Sequence, residues 1–291
     1  MKILILGSKG QLGRCLQDQL AISQHEVIYT SRRQIDITKF DETKARIVKI
    51  SPDIVINATA YTAVDKSEED HEAAYTVNHL AVDNIASICN QLDCWLIHIS
   101  TDYVFDGDSV VPYKEDSFTN PQGIYGHSKL KGETAIEASG CKFLIIRTAW
   151  VFSEYGNNFL KTMLRLGNEH DELSLVGDQI GCPTYAQDIA RTIVSILYAL
   201  DLEVSSSGIY HYCGDEPCSW YDFAIAIFLE AELKGLKTPS HVKSIVTSDY
   251  PTQAIRPSYS VLDCTKIESI FNVTPSNWRV GIKIVIDRLQ A

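Results

Sequence analysis

Five short apolar runs recur along residues 1–150, each followed by a polar stretch carrying apolar residues at helical spacing. The runs are Ile3-Leu4-Ile5-Leu6, His25 to Tyr29, Asp53-Ile54-Val55-Ile56-Asn57, Trp95-Leu96-Ile97-His98-Ile99 and Phe143-Leu144-Ile145-Ile146-Arg147. A continuous run of this length predicts a strand buried on both faces, as in a parallel sheet. The stretches between predict helices: one with Leu12, Cys15, Leu16 and Leu20 on a stripe, a second over Asp41 to Ile50 ended by Ser51-Pro52, and a third after Asp70 with Ala73, Ala74, Val77, Ala81, Asn84, Ile85 and Ile88. Asn78 lies off that last stripe and is expected to be solvated or bound to nearby backbone. The alternation predicts an α/β protein, a Rossmann-like doubly wound parallel sheet with helices on both faces. From Ser153 it loosens. Helices follow at Phe159, Met163 and Leu166, from Asp188, and over Trp220 to Leu229, with one late strand at Gly208 to Tyr212 and a loop over Gly177 to Thr184. The two prolines in Tyr250-Pro251 through Arg256-Pro257 predict an extended segment wrapping a site. The division expected is a dinucleotide-binding domain over 1–152, to which the chain returns around 186–212, and a smaller C-terminal substrate lobe from 153–185 and 213–291.

The first strand runs directly into Gly7-Ser8-Lys9-Gly10-Gln11-Leu12-Gly13. Glycines at this spacing between strand and helix permit a tight turn, close approach of a pyrophosphate and close helix-to-strand packing. At the end of the second strand, a carboxylate would hold the ribose 2′-hydroxyl of NAD. Thr30-Ser31-Arg32-Arg33 stands there instead, which suits a 2′-phosphate and favours NADPH, with NADH possible; a solvated basic turn is the plainer alternative. Asp36 either contacts the adenosine or caps a turn. Small residues in Ala58 to Thr62 would let a cofactor lie against backbone.

Candidate chemistry gathers at Ser100-Thr101-Asp102-Tyr103 and Tyr125-Gly126-His127-Ser128-Lys129. Tyr125 and Lys129 are four apart and share one helix face. An ammonium one turn away is expected to draw down a phenol pKa that is ordinarily about 10. Thr101, at the carboxyl end of its strand, points into the crevice where open α/β sheets bind ligands. Hydroxyl, phenol and ammonium together can polarise a carbonyl and protonate its oxygen while hydride reaches the carbon. Trp150 at another strand end could stack on a sugar, or merely pack in the core.

Composition narrows the partners. With 37 acidic residues against 26 basic, the net charge of −11 argues against nucleic acid or an anionic membrane as partner, while leaving a small anionic ligand open at a helix N-terminus. The eight cysteines form no CxxC pair and suggest free thiols in a cytoplasmic enzyme rather than a zinc site. The opening Met1 to Leu6 is too short, and too soon broken by Gly7, for a signal or membrane span.

With these residues in view, the chain resembles the dTDP-4-dehydrorhamnose reductases, a group of extended short-chain dehydrogenases/reductases. The resemblance is carried by Gly7…Gly10-Gln11-Leu12-Gly13, Asn57-Ala58 with Thr62-Ala63-Val64-Asp65-Lys66, and Ser100-Thr101-Asp102-Tyr103-Val104-Phe105. It continues through Tyr125-Gly126…Ser128-Lys129-Leu130…Gly132-Glu133, Arg147-Thr148…Trp150-Val151, Asn157-Asn158-Phe159, Asp178-Gln179…Gly181…Pro183-Thr184 and Arg256-Pro257…Ser260…Leu262. It implies NADPH-dependent reduction of dTDP-4-dehydro-L-rhamnose to dTDP-L-rhamnose, the last step in making that sugar donor. Tyr125 would be the proton donor, Lys129 would orient it and the nicotinamide ribose, and Thr101 would bond the keto oxygen. Gly7, Gly10, Gln11, Leu12, Gly13, Arg32, Arg33, Asp36, Ala60, Tyr61 and Thr62 would line the cofactor, and Thr101, Asp102, Trp150 and Arg256 the sugar nucleotide. Some relatives hold a metal between subunits through a glutamate of the first helix; Cys15 stands at that place here, so no metal is expected, while a homodimer stays open. Alternatives are a regulatory subunit of a methionine adenosyltransferase, a reductase of another 4-keto-6-deoxy sugar nucleotide, and an epimerase or dehydratase. Asp102-Tyr103 after Thr101, rather than Asp-Glu, speaks against a dehydratase.

Overall fold

Residues 3–6 are almost wholly withdrawn from solvent, with Ile3 and Ile5 on one face and Leu4 and Leu6 on the other. A strand with two buried faces can only be central, and the fold is built outward from it. The computed structural model describes residues 1–201 and 207–290; positions 202–206, within the segment expected to return to the sheet, and residue 291 lie outside the described residues.

In chain order the elements are β1 (Lys2–Leu6), α1 (Gln11–Leu20), β2 (Glu26–Thr30), α2 (Phe40–Ile50), β3 (Ile54–Asn57), α3 (Val64–Ser67), α4 (His71–Tyr75), α5 (Ala81–Leu92) and β4 (Trp95–Thr101). Then come α6 (Ile124–Ala138), β5 (Lys142–Thr148), β6 (Val151–Phe152), α7 (Phe159–Glu169), β7 (Glu172–Val176), β8 (Ile180–Gly181), β9 (Thr184–Tyr185), α8 (Ala186–Asp201) and β10 (Gly208–His211). The chain closes with β11 (Cys218–Ser219), α9 (Trp220–Leu233), β12 (His241–Ile245), α10 (Thr265–Phe271) and α11 (Trp278–Gln290).

Six strands form a parallel sheet in the order β10-β5-β4-β3-β1-β2. The chain leaves β1 toward β2 and then returns to the other side of β1 for β3. The order therefore reverses between β1 and β3, and an open sheet binds its ligand outside the carboxyl ends of the strands at that reversal. Cys15, Leu16, Ile189 and Ile193 from α1 and α8 cover one face; Ile47, Val82 and Ile85 from α2 and α5 cover the other. A separate aromatic core, with Phe152, Tyr185, Phe223 and Trp278, joins α7, α9 and α11. Ser219 and Asp222 cap α9 reciprocally, an arrangement that stabilises a helix start by about 1 kcal/mol.

Three expectations need correction. The helix after Asp70 is not continuous, because a π-turn over Thr76–Leu80 separates α4 from α5. The stretch 177–184 is not simply a loop: β8 pairs with β11 and β9 with β6, each over two residues. A parallel pair, β7 with β12, was also missed. Both strands are short and leave much of their surface to solvent, so neither has the continuous apolar run that marks the central strands.

Candidate active site

The glycine turn sits at the reversal. Gly7 has φ +85°, and the N–H groups of Gly7 and Ser8 donate to Thr30 O at 3.0 and 2.9 Å, tying the turn to the end of β2. A Cβ on Gly13 would stand 2.2 Å from Gly7 O, so α1 reaches the turn only because that position is bare. Gly10 is extended and offers no side-chain cap, which leaves the first N–H groups of α1 open to an anion. Leu12 belongs to the core, so only its backbone can serve a ligand. Gln11 turns toward the segment between β6 and α7, where its Oε1 accepts from Ser153 Oγ at 3.0 Å and Asn158 Nδ2 at 2.9 Å.

Beyond β2, Arg32 is 82% exposed and its Nε donates to Asp36 Oδ2 at 3.2 Å; Arg33 is also exposed. Asp36 Oδ1 accepts from Thr38 N and Oγ1, so this carboxylate closes a turn. Partial burial opposes its ionisation, but Thr38 and Arg32 outweigh that and hold the carboxyl below its usual range.

Across the crevice, the loop after β3 carries Ala60, Tyr61 and Thr62. Asn78, far from solvated, fixes that loop. Its Oδ1 accepts from Tyr61 N at 2.9 Å, and its Nδ2 donates to Tyr61 O at 3.1 Å and Ser128 Oγ at 3.0 Å. The π-turn places it there, and Gly132 of α6 lies so close that a Cβ would be 2.2 Å from Asn78 O. A lone amide interrupting an apolar helix was the available signal; its partners, 17 and 50 positions away, were not readable.

Thr101 ends β4, and its hydroxyl donates to Asp102 Oδ1 at 2.9 Å. The Tyr125 phenol lies beside Thr101, and its ring meets Tyr103 edge-on at 5.4 Å. Arg256 donates to Tyr103 Oη at 3.2 Å and ion-pairs with Asp65 of α3, so the 250–257 segment straps across this corner as expected. Burial raises the Asp102 carboxyl to about 6 against the hydrogen bond from Thr101, and its Oδ2 has no partner. Trp150, with φ +47°, stacks flat on Trp220 at 3.5 Å against the aromatic core of α7, α9 and α11.

Lys129 departs from expectation. Its Nζ donates to Ile99 O at 2.6 Å and lies 3.1 Å from His98 Nε2. Burial lowers its pKa to about 8, with Glu133 opposing. The phenol is not drawn down: burial pushes it above its ordinary range, and only Thr101 pulls the other way. Among the described residues no three His, Cys, Asp or Glu side chains gather as a metal site, and Cys15 is buried in the core.

A glycine turn at the sheet's reversal, with a hydroxyl and a phenol at the end of a neighbouring strand, defines a nucleotide-binding α/β oxidoreductase of the short-chain dehydrogenase/reductase type. The RmlD substrate binding domain family matches residues 1–291, and the chain belongs to that family, the dTDP-4-dehydrorhamnose reductases. It is 45% identical to the dTDP-4-dehydrorhamnose reductase of Aggregatibacter actinomycetemcomitans over 97% of each chain. The crystal structure of a dTDP-4-dehydrorhamnose reductase from Clostridium acetobutylicum superposes with a TM-score of 0.91 at 40% identity, covering 100% of both chains. That of the Bacillus anthracis enzyme in complex with NADP gives 0.91 at 34%, covering 99% of both.

Proposed function

We propose that this chain reduces the 4-keto group of dTDP-4-dehydro-L-rhamnose to give dTDP-L-rhamnose, with NADPH as donor, as the last step in forming that sugar nucleotide. The observation that carries the reading is the meeting of the Thr101 hydroxyl and the Tyr125 phenol at the carboxyl end of β4, two strands from the glycine turn. The open start of α1 and the bare Gly10 fit a pyrophosphate, and Ala60 to Thr62, held by Asn78, form the facing wall. A dihydronicotinamide bound there supplies hydride to the ketone carbon. Thr101 fixes the keto oxygen, and Tyr125 delivers the proton to it. Lys129, one turn along α6, orients the phenol and the ribose. Residues 153–185 and 213–291, with Trp150 and Arg256 at their edges, would hold the dTDP-sugar. Among the described residues no helix is long and apolar enough to cross a membrane, in keeping with an enzyme that meets its substrates in the cytoplasm.

The test is NADPH oxidation with a panel of dTDP-keto-sugars, the product identified by mass and NMR. The reading is lost if no dTDP-4-keto-6-deoxy sugar is reduced, and a preference for another member of the panel redirects it to that sugar. For the cofactor, Arg32→Ala/Arg33→Ala is expected to raise KM for NADPH about tenfold, the worth of one exposed charge-assisted phosphate contact, and to leave NADH unaffected. An unchanged NADPH-to-NADH ratio would remove both arginines from the 2′-phosphate.

A further inference from the structure

Lys129 is held by a hydrogen-bonded chain that begins at the end of β3. Asn57, fully buried, accepts at Oδ1 from Thr59 N at 3.1 Å and from Thr59 Oγ1 at 2.5 Å. A backbone N–H can only donate, so the amide oxygen must face Thr59 and the amide nitrogen must face the other way. That nitrogen is 3.2 Å from His98 Nδ1. It also can only donate, so His98 Nδ1 accepts. A neutral imidazole that accepts at one nitrogen carries its proton on the other. His98 therefore presents Nε2–H to Lys129 Nζ, 3.1 Å away. Both side chains are almost wholly buried, and no surface water can rearrange between them. An ammonium there would set donor against donor. An amine accepts from Nε2–H and still donates to Ile99 O.

We propose that Asn57 and His98 are positioning residues that fix the protonation of Lys129, by presenting it with a donor that favours the amine over the ammonium. The inference rests on Lys129 serving the reduction proposed above. In that reaction Tyr125 gives its phenolic proton to the ketone oxygen as the carbon takes hydride. The ammonium of Lys129 can then return one proton to the tyrosinate, and the amine left behind is the form His98 stabilises until water re-protonates it. The groups around Nζ are His98 and the Ile99 carbonyl from β4 and Glu133 from α6, with Arg147 behind Glu133. Glu133 favours the ammonium, but its carboxylate is shared with Arg147 at 2.7 Å. Burial and the Lys129 charge both hold His98 neutral, well below its ordinary range.

Two variants separate this role from mere packing. In Asn57→Asp both carboxylate oxygens accept, one from Thr59 N–H and one from His98 Nδ1–H, so the proton moves to Nδ1 and Nε2 becomes an acceptor for the ammonium. His98→Gln, which adds no charge, can turn its carbonyl toward Nζ to the same effect. Loss of the ammonium with rising pH should give kcat/KM an alkaline limb near 8 in the unaltered protein. Both variants are expected to carry that limb upward by roughly one pH unit or more. Long-range 1H–15N spectra of the histidine rings, taken without substrate, read the tautomer directly: Nε2–H in the unaltered protein and Nδ1–H in Asn57→Asp. An Nδ1–H or doubly protonated His98 in the unaltered protein at pH 7 overturns the proposal, as does an alkaline limb that moves in neither variant. Failure to reduce any keto-sugar would instead strike the functional reading, and leaves the tautomer measurement to decide this one.

Discussion

Tyr125→Phe is expected to lower kcat by about a thousandfold or more, the upper part of the range for a positioned general acid and equivalent to roughly 4 kcal/mol of barrier. The substitution removes one oxygen and keeps the ring that meets Tyr103 edge-on, so the local packing should survive. What is lost is the proton source beside Thr101. Thr101 cannot take over, because an aliphatic hydroxyl is a far weaker acid than a phenol. NADPH affinity, measured by quenching of its fluorescence, should change by less than threefold, since the glycine turn and the Tyr61 loop are held by contacts that exclude the phenol. Turnover near that of the unaltered protein would sink the assignment of Tyr125. Equal loss of turnover and of NADPH binding would mean that the ring supports the pocket instead of the chemistry.

The central sheet and the glycine turn were legible because each is a local pattern. Strands buried on both faces must be continuously apolar, and a turn that tolerates no Cβ must be glycine, as Gly13 shows against Gly7 O. The β7–β12 pair and the two-residue ladders of the second lobe escaped notice because they are half exposed and paired across long separations. The direction of Lys129 was misjudged for a related reason. Its spacing from Tyr125 was correct, but a helical spacing says nothing about what the neighbouring strand offers. Here β4 brings the Ile99 carbonyl and His98 to Nζ, 30 and 31 positions away in sequence. His98 itself lies within an apolar run, which marks it only as a strand residue. A buried imidazole needs two partners, and that requirement marked it, though not what those partners were.

The same helix face carries a third titratable residue, Glu133, and its replacement should produce the largest loss of stability. Glu133 and Arg147 are 1% and 2% exposed and joined by three N···O contacts of 2.7 to 3.2 Å, with the guanidinium over the Phe105 ring. Removing one member strands the other charge in the interior, which costs about 3–5 kcal/mol. Glu133→Leu and Arg147→Met, each followed by urea unfolding, should therefore fall in that range, while the double variant, which removes both charges of the pair, recovers most of the loss. A double variant as unstable as the sum of the two would show that the pair's worth lies in its packing and not its charge. The kinetic consequence has a definite sign. Glu133 is the one group that raises Lys129 against burial. Glu133→Gln keeps an acceptor for Arg147 but drops the negative charge, so Lys129 loses its proton at lower pH and the alkaline limb of kcat/KM moves down. That is opposite to the shift expected of Asn57→Asp, so the two substitutions bracket the ammonium of Lys129 from either side.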